Sequence, residues 1–350
     1  MKNLRFYVVG IFIVLVWAVG IVQATPPLPM GLLTNNNTCL NIPTYDGKNQ
    51  VTHPCVLYTE SGWNGFTYLM TMTPYPYYDS SKENPSMRYS NDGITWEKIT
   101  GQPDPVINNP SVGFYSDPNI ELVGGTVYLF YRYAYTAPDP DVIYYNYTTT
   151  TDGVTWTTPV QTDMNLTRSN SFVFNGTGWE SWGHSTATGN LTHYTSADAI
   201  TWTQTGTTSI NTTPFSQWHS EVKKYDNQYM VLMSDSQNKN LRFYTSSDGL
   251  LWNLENNNSP VMSGRAGRWD EGIYKTSFVE MNNSYKVWYA AFSAKGSSKV
   301  GYTQYPGSDS DGTSDNRLLS LSRYFCASNK FAIPFSIHVK KNLSESFFSQ

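Results

Sequence analysis

The stretch Ser90-Asn91-Asp92-Gly93-Ile94-Thr95-Trp96 returns three times, as "TTDGVTW" ending at Trp156, "SADAITW" ending at Trp202 and "SSDGLLW" ending at Trp252. The four tryptophans stand 60, 46 and 50 residues apart, a period in the range of propeller blades and far from that of helical repeats. Asp-Gly tolerates the positive φ of a tight hairpin, and its carboxylate accepts from turn amides. The tryptophan three residues later supplies a large apolar plate for packing against a neighbouring sheet.

Before each tryptophan lie three short segments rich in Val, Tyr, Phe and Thr. In the first unit these are "PCVLY" (54–58), "FTYLMTMTPY" (66–75) and "SMRYS" (86–90), and the last complete unit has "EVKKY", "QYMVLMS" and "LRFYTS". Such runs bounded by turn residues predict strands. A fifth unit follows without its Asp-Gly-x-x-Trp, as "GIYKTSFVE" (272–280), "SYKVWYAAFS" (284–293) and "KVGYTQYPG" (299–307). The expected fold is therefore all-β, a five-bladed propeller of four-stranded antiparallel blades over 25–307. A strand from 25–52 is expected to complete the last blade and leave no open edge.

Composition agrees with strands carrying aromatic faces: 15% of residues are aromatic and only 14% charged, against about 25% charged in ordinary soluble domains. A net charge of −4 without a Lys/Arg cluster argues against nucleic acid, which requires a concentrated positive face. Lys2 and Arg5, the apolar run Phe6 to Val22 and the small residues before position 24 predict a signal peptide over 1–24 and a secreted or cell-surface protein. The alternative is an uncleaved membrane anchor. Residues 308–350 open with "SDSDGTSDN" and are expected to be a polar linker and tail; the glycine spacing fails the calcium-loop pattern. Of the three cysteines, Cys39 and Cys55 are the preferred disulfide, with Cys326 left over. Nine Asn-x-Ser/Thr sequons, from Asn36 to Asn342, suit a glycosylated exterior.

In a propeller the first strand of each blade lines the central channel, so its start is where a ligand site converges. The five starts are expected at His53-Pro54, Asp117-Pro118, Ser169-Asn170-Ser171, Trp218-His219-Ser220-Glu221 and Trp269-Asp270-Glu271. Polar and acidic groups gather there without a scaffold need for them. The aromatics Trp63, Tyr75, Trp182, Trp218 and Trp269 are candidates for stacking on sugar rings.

At this point the chain resembles the five-bladed propeller glycoside hydrolases of family 43 and its invertase-type relatives. The resemblance rests on the blade count, the hairpins, "SDPN" at 116–119 and Glu221 of "WHSEV", with "HP", "GWNG" and "ENPS" at 53–54, 62–65 and 83–86 suggesting a divergent branch. It implies a monomeric carbohydrate-active enzyme, a glycosidase using three carboxylates on an oligo- or polysaccharide of a cell wall or surface. Asp117 would tune the site and Glu221 would be the general acid. Where the family has an aspartate at the first strand this chain has His53, so Glu83 is the candidate for the missing carboxylate. His53, Arg132, Trp218, His219, Asp270 and Glu271 are candidates for binding substrate, with Arg132 suited to clamp a carboxylate. No catalytic metal and no cofactor are required on this account; a structural calcium in the channel is compatible with it. The alternative is a non-catalytic glycan-binding or adhesion propeller.

Overall fold

A computed structural model describes residues 29–305, except 37, 136–141, 166, 189, 211–216 and 282–283. The expected signal segment, the linker and tail, and Cys326 lie outside the described residues. Five sheets follow one another along the chain, each built on an antiparallel meander in sequence order; the fourth also takes Ser209–Ile210, parallel to Leu251–Leu254, and Met262–Ser263 beside Asn240–Ser246. The first holds Val51–Trp63, Phe66–Pro74 and Ser86–Ser90, and the second Phe114–Val123, Thr126–Tyr135, Val142–Thr150 and Val160–Asn165. The third holds Thr167–Phe174, Trp179–Ser185, Leu191–Ser196 and Thr203–Thr207; the fourth Gln217–Tyr225, Gln228–Asp235, Asn240–Ser246 and Leu251–Leu254. The fifth holds Gly272–Met281, Ser284–Phe292 and Ser298–Tyr305. The fold is the expected five-bladed propeller. No helix among the described residues is long and apolar enough to cross a membrane.

Each pair of neighbouring blades is joined by its own apolar cluster. Leu69 and Tyr89 meet Ile120 and Leu129 between the first and second blades, Phe130 meets Phe172 between the second and third, and Trp182 meets Val231 and Trp252 between the third and fourth. Phe243 meets Phe278 between the fourth and fifth, and Trp288 and Val300 meet Met70 and Trp96 between the fifth and first. Large rings suit these wedges because each removes much apolar surface from water.

The repeated hairpin is scaffold. Asp92 Oδ1 accepts from the amides of Ile94 and Thr95 at 2.7 Å, and Ser90 Oγ accepts from Gly93 N. Asp152, Asp198 and Asp248 repeat the pattern. The glycine also makes room for the preceding blade: Trp288 Nε1 donates to Gly93 O and Trp182 Nε1 to Gly249 O, each at 2.7 Å. A Cβ on Gly249, whose φ is +72°, would stand 2.7 Å from the Trp182 ring. The third copy carries Ala199 at φ 63° instead.

Three expectations are corrected. The described residues of 29–50 form no strand, so the predicted closing strand is not made among them. That segment is irregular and tied to the last two blades by isolated backbone bonds, Leu33 N to Val261 O and Leu40 N to Val300 O, both 2.8 Å, and by side-chain bonds of Asn35 and Asn36. The first and fifth blades are accordingly three-stranded, the outer edge of the first being reduced to a bridge between Tyr89 and Glu97. Finally, Cys39 is disulfide-bonded but not to Cys55, which is a free, fully buried thiol. Cys55 points into the channel among the inner strands, where its sulfur meets Glu221 and Asn119.

Candidate active site at the head of the channel

Every innermost strand is interrupted at the same level by a two-against-one bulge. The register slips between Thr52 and Cys55, Ser116 and Asn119, Arg168 and Ser171, Gln217 and Ser220, and Ile273 and Thr276. The bulged pairs are therefore His53-Pro54, Asp117-Pro118, Ser169-Asn170, Trp218-His219 and Tyr274-Lys275. A bulge re-aims side chains that a regular strand would send up and down the sheet faces. His53, Asp117 and Ser169 adopt left-handed backbone there, with φ of 52°, 48° and 52°, a conformation L-residues with a Cβ rarely take and one that clusters at functional sites.

The bulges converge on Asp117, which is fully buried. His53 Nε2 lies 3.1 Å from its Oδ1 and His219 Nδ1 3.8 Å from the same oxygen. Arg132 Nε lies 2.8 Å from Oδ2 and its Nη2 donates to Ser116 Oγ at 2.7 Å. Ser169 N donates to Oδ2 at 3.2 Å, and Ser169 Oγ also contacts His219 Nδ1. Glu83, arriving from the loop between the second and third strands of the first blade, places Oε2 3.5 Å from His53 Nδ1. The fifth blade contributes Tyr274, whose ring centre is 4.0 Å from that of His219 and 5.4 Å from that of His53, and the buried amine of Lys275, which donates to Pro118 O.

Charge follows from this crowding. Burial opposes ionisation of Asp117, but the Arg132 guanidinium, with His53, His219 and Lys275, holds its carboxyl well below the usual range. Burial, reinforced by the Asp117 charge, raises the Glu83 carboxyl well above its ordinary value. Burial lowers His53 to about 3 and His219 well below 6.5, in both cases against the pull of Asp117. At neutral pH the cluster thus holds an ionised Asp117 and two neutral imidazoles, beside a Glu83 carboxyl whose ionisation burial and the Asp117 charge oppose.

His53, Asp117 and His219 can each offer a ligand atom within 4.8 Å of the others, the one such group among the described residues. A metal bonded at about 2.1 Å to each donor would hold tetrahedral donors about 3.4 Å apart, which the 3.1 and 3.8 Å separations bracket. His53 Nε2 is buried and makes no aligned hydrogen bond despite its approach to Asp117, whereas His219 Nδ1, the nitrogen that faces Asp117, also contacts Ser169 Oγ. Thr73 Oγ1, 2.9 Å from His53 Nδ1, fixes the ring so that Nε2 can keep its lone pair, the second support usual for a ligating histidine. The sequence pointed to no metal ligands because these three residues are separated by more than sixty positions.

The structure brings together His53, Glu83, Asp117, Arg132, His219 and, at the rim, Trp218, which is 36% exposed with its ring 5.4 Å from that of His219. It does not bring Glu221 to them. Glu221 lies one strand step below, in a second layer with Cys55, Asn119, Ser171 and Ser277. There its Oε1 is 3.1 Å from Lys223 Nζ and accepts from Ser277 Oγ at 3.0 Å, while Ser171 and Asn119 bond the backbones of adjacent blades. Asp270 and Glu271 precede the fifth inner strand and stay apart from the cluster. Asp270 is ion-paired with Arg265 at 2.8 Å and accepts from Asn35, and Glu271 accepts from Gly267 N. The fifth-blade counterpart of Asp117-Pro118 is the bulged pair Tyr274-Lys275. Trp182 is fully buried; Trp63 stacks on Tyr89 and Trp269 on Tyr289, so all three pack within the scaffold.

The same five-bladed propeller fold occurs in enzymes of glycoside hydrolase families 43 and 32. Among solved structures, the chain superposes on an N-acetylgalactosamine deacetylase from F. plautii, in complex with blood group B trisaccharide, with a TM-score of 0.70 and 20% identity over 78% of this chain and 95% of that one. A family 43 β-xylosidase/α-arabinofuranosidase from a compost metagenome, in complex with xylotriose, gives 0.56 and 10% over 81% and 97%. A family 32 β-fructofuranosidase of Bombyx mori gives 0.55 and 11% over 76% and 61%. In sequence, 80 residues are 35% identical to the A type blood N-acetyl-α-D-galactosamine deacetylase of Flavonifractor plautii, a match spanning 23% of this chain and only 10% of that protein. No family model matches.

Proposed function

We propose that the chain is a metal-dependent hydrolase that removes the acetyl group from an N-acetylated sugar of a glycan. The observation that carries this is the approach of His53 Nε2, Asp117 Oδ1 and His219 within one buried cluster, an N/O donor set suited to a divalent first-row metal. The likeness to a sugar deacetylase in fold and over 80 residues supports the substrate class.

Such a metal supplies Lewis acidity and a water whose proton is lost near neutral pH. The chain's own groups would do the rest. His53 and His219 are neutral and Asp117 ionised, the forms that ligate. Glu83 stands beside His53, and because burial favours its protonated form it would be the general acid that gives a proton to the departing sugar nitrogen. Trp218 offers its exposed face to the sugar ring. Water adds to the acetyl carbonyl, the C–N bond breaks, and acetate and the free amino sugar leave.

Glycosidic cleavage requires an acid and a second carboxylate facing each other across the bond; with Glu221 engaged by Lys223, the cluster supports amide hydrolysis better. The test is acetate release from blood group A trisaccharide by metal-loaded protein, before and after exhaustive chelation, with Asp117→Asn in parallel. Release abolished by both treatments is expected. Release that survives either, or liberation of a reducing sugar instead of acetate, would overturn the proposal.

A further inference from the structure

The geometry points to a second sugar-binding plate, formed by Tyr77 and Tyr78, that holds an uncharged hexose adjoining the sugar at the His53–Asp117–His219 cluster. It rests on the sugar-site reading above. Tyr77 and Tyr78 are 68% and 48% exposed, although burying such rings would stabilise the fold. Both stand on left-handed backbone, with φ of 54° and 64°, where Cβ crowds the following carbonyl in an L-residue. Two consecutive aromatics held outward in a conformation they avoid are the kind of outlier from which function is inferred.

The fold enforces that conformation from two blades. Tyr77 N donates to Gln50 Oε1 at 3.2 Å, and the same oxygen accepts from Ser298 N in the fifth blade. The Tyr78 hydroxyl donates to Ser293 O at 3.2 Å. Gly296, at φ +77°, packs close beside the Tyr78 ring and helps to fix it: a Cβ there would stand 3.2 Å from the ring. The plate is rigid, so a ligand meets it already ordered, which removes part of the entropic cost of binding.

The plate is continuous with the cluster. Ring centres run from Tyr78 to Phe292 at 5.2 Å, Phe292 to Tyr274 at 4.6 Å and Tyr274 to His219 at 4.0 Å. Tyr75 fills the angle between Tyr78 and Phe292, at 5.9 and 6.0 Å. Trp218 flanks the cluster directly, whereas Tyr78 stands two ring contacts beyond Tyr274, the place of the next sugar along an oligosaccharide. Apolar C–H faces of hexoses suit flat aromatic surfaces. Glu271 faces Tyr78 closely enough to add to the burial that raises its hydroxyl, and an acid at that edge disfavours uronic or sialic sugars.

The experiment is calorimetric titration of metal-loaded protein with N-acetylgalactosamine and with blood group A trisaccharide, for wild type, Tyr77→Ala and Tyr78→Ala. Wild type should bind the trisaccharide more tightly. Each variant should lower trisaccharide affinity by about three- to tenfold and shift monosaccharide affinity less than twofold, so that the ratio of the two falls. Equal affinity of wild type for the two probes, unchanged trisaccharide affinity in Tyr77→Ala, or parallel losses on both probes would overturn the plate while leaving the cluster as a sugar site. Failure of wild type to bind either probe would remove the sugar-site reading and the plate with it.

Discussion

His53 Nε2 and Asp117 Oδ1 come within 3.1 Å of each other, from the first and second blades, without forming an aligned hydrogen bond. In the tautomer that leaves the lone pair on Nε2, these two buried acceptors repel unless a cation bridges them. Metal binding should therefore stabilise the fold. With metal at a hundredfold above its dissociation constant the gain is about 2.7 kcal/mol, read as a rise in melting temperature. His53→Ala should lose the metal-dependent rise. An equal rise in the variant would place the metal elsewhere.

Arg132 is the principal charge that keeps Asp117 ionised. Replacing it with Met leaves a carboxylate of zero exposure without its ion-pair partner, and breaking a buried pair from one side costs about 3–5 kcal/mol. Urea unfolding of Arg132→Met should show a loss of that size, and Arg132→Lys a smaller one. A loss below 1 kcal/mol would mean that the histidines and Lys275 suffice.

Glu221→Gln separates the three-carboxylate mechanism from the arrangement observed. With Glu221 paired to the buried Lys223, the substitution should lower stability by about 3 kcal/mol and leave turnover per folded molecule within about twofold. A loss of two orders of magnitude in kcat at unchanged stability would restore Glu221 as a general acid.

The hairpin glycines are required by the packing of the blade before them. Gly249→Ala sets a Cβ against Trp182 at positive φ, adding backbone strain to overpacking, together about 2–5 kcal/mol. Chemical denaturation measures this directly, and a loss under 1 kcal/mol would show that Trp182 can move aside.

Acid stability should depend on Glu180, which joins the third blade to the fourth. Burial raises its carboxyl, but hydrogen bonds from His193, Asn175 and Tyr229 outweigh burial and bring it from 4.5 to about 2. Because the folded pKa is depressed, the stabilisation is complete above 4.5 and is lost as pH falls toward 2. The stability gap between wild type and Glu180→Gln, from unfolding curves at a series of pH values, should narrow over that interval. A gap independent of pH would exclude the linkage.

The blade count, the strand order and the structural role of Asp92, Asp152, Asp198 and Asp248 were legible in the sequence, because a hairpin is a local object. Its Asp-Gly-x-x-Trp carries the turn geometry, the carboxylate cap and the packing ring within seven residues. The candidate positions His53, Asp117 and His219 were legible for a related reason, since they break the repeat at a fixed place in the inner strand. Glu221 was misplaced by a single strand step, and in a strand two residues are one layer of the channel. Asp270 and Glu271 were preferred to Tyr274 and Lys275 because acids suggest chemistry more readily than a tyrosine and a lysine do.

What the chain alone determined, then, is a ring of five meanders and the level at which function would sit. Tertiary structure decided which atoms meet: five bulges turn side chains from five blades onto one aspartate, with Glu83 beside it, its ionisation opposed by burial, and Glu221 ion-paired below it. Those outcomes depend on burial and on charges brought together across dozens of residues, and neither quantity is a property of any local stretch of sequence.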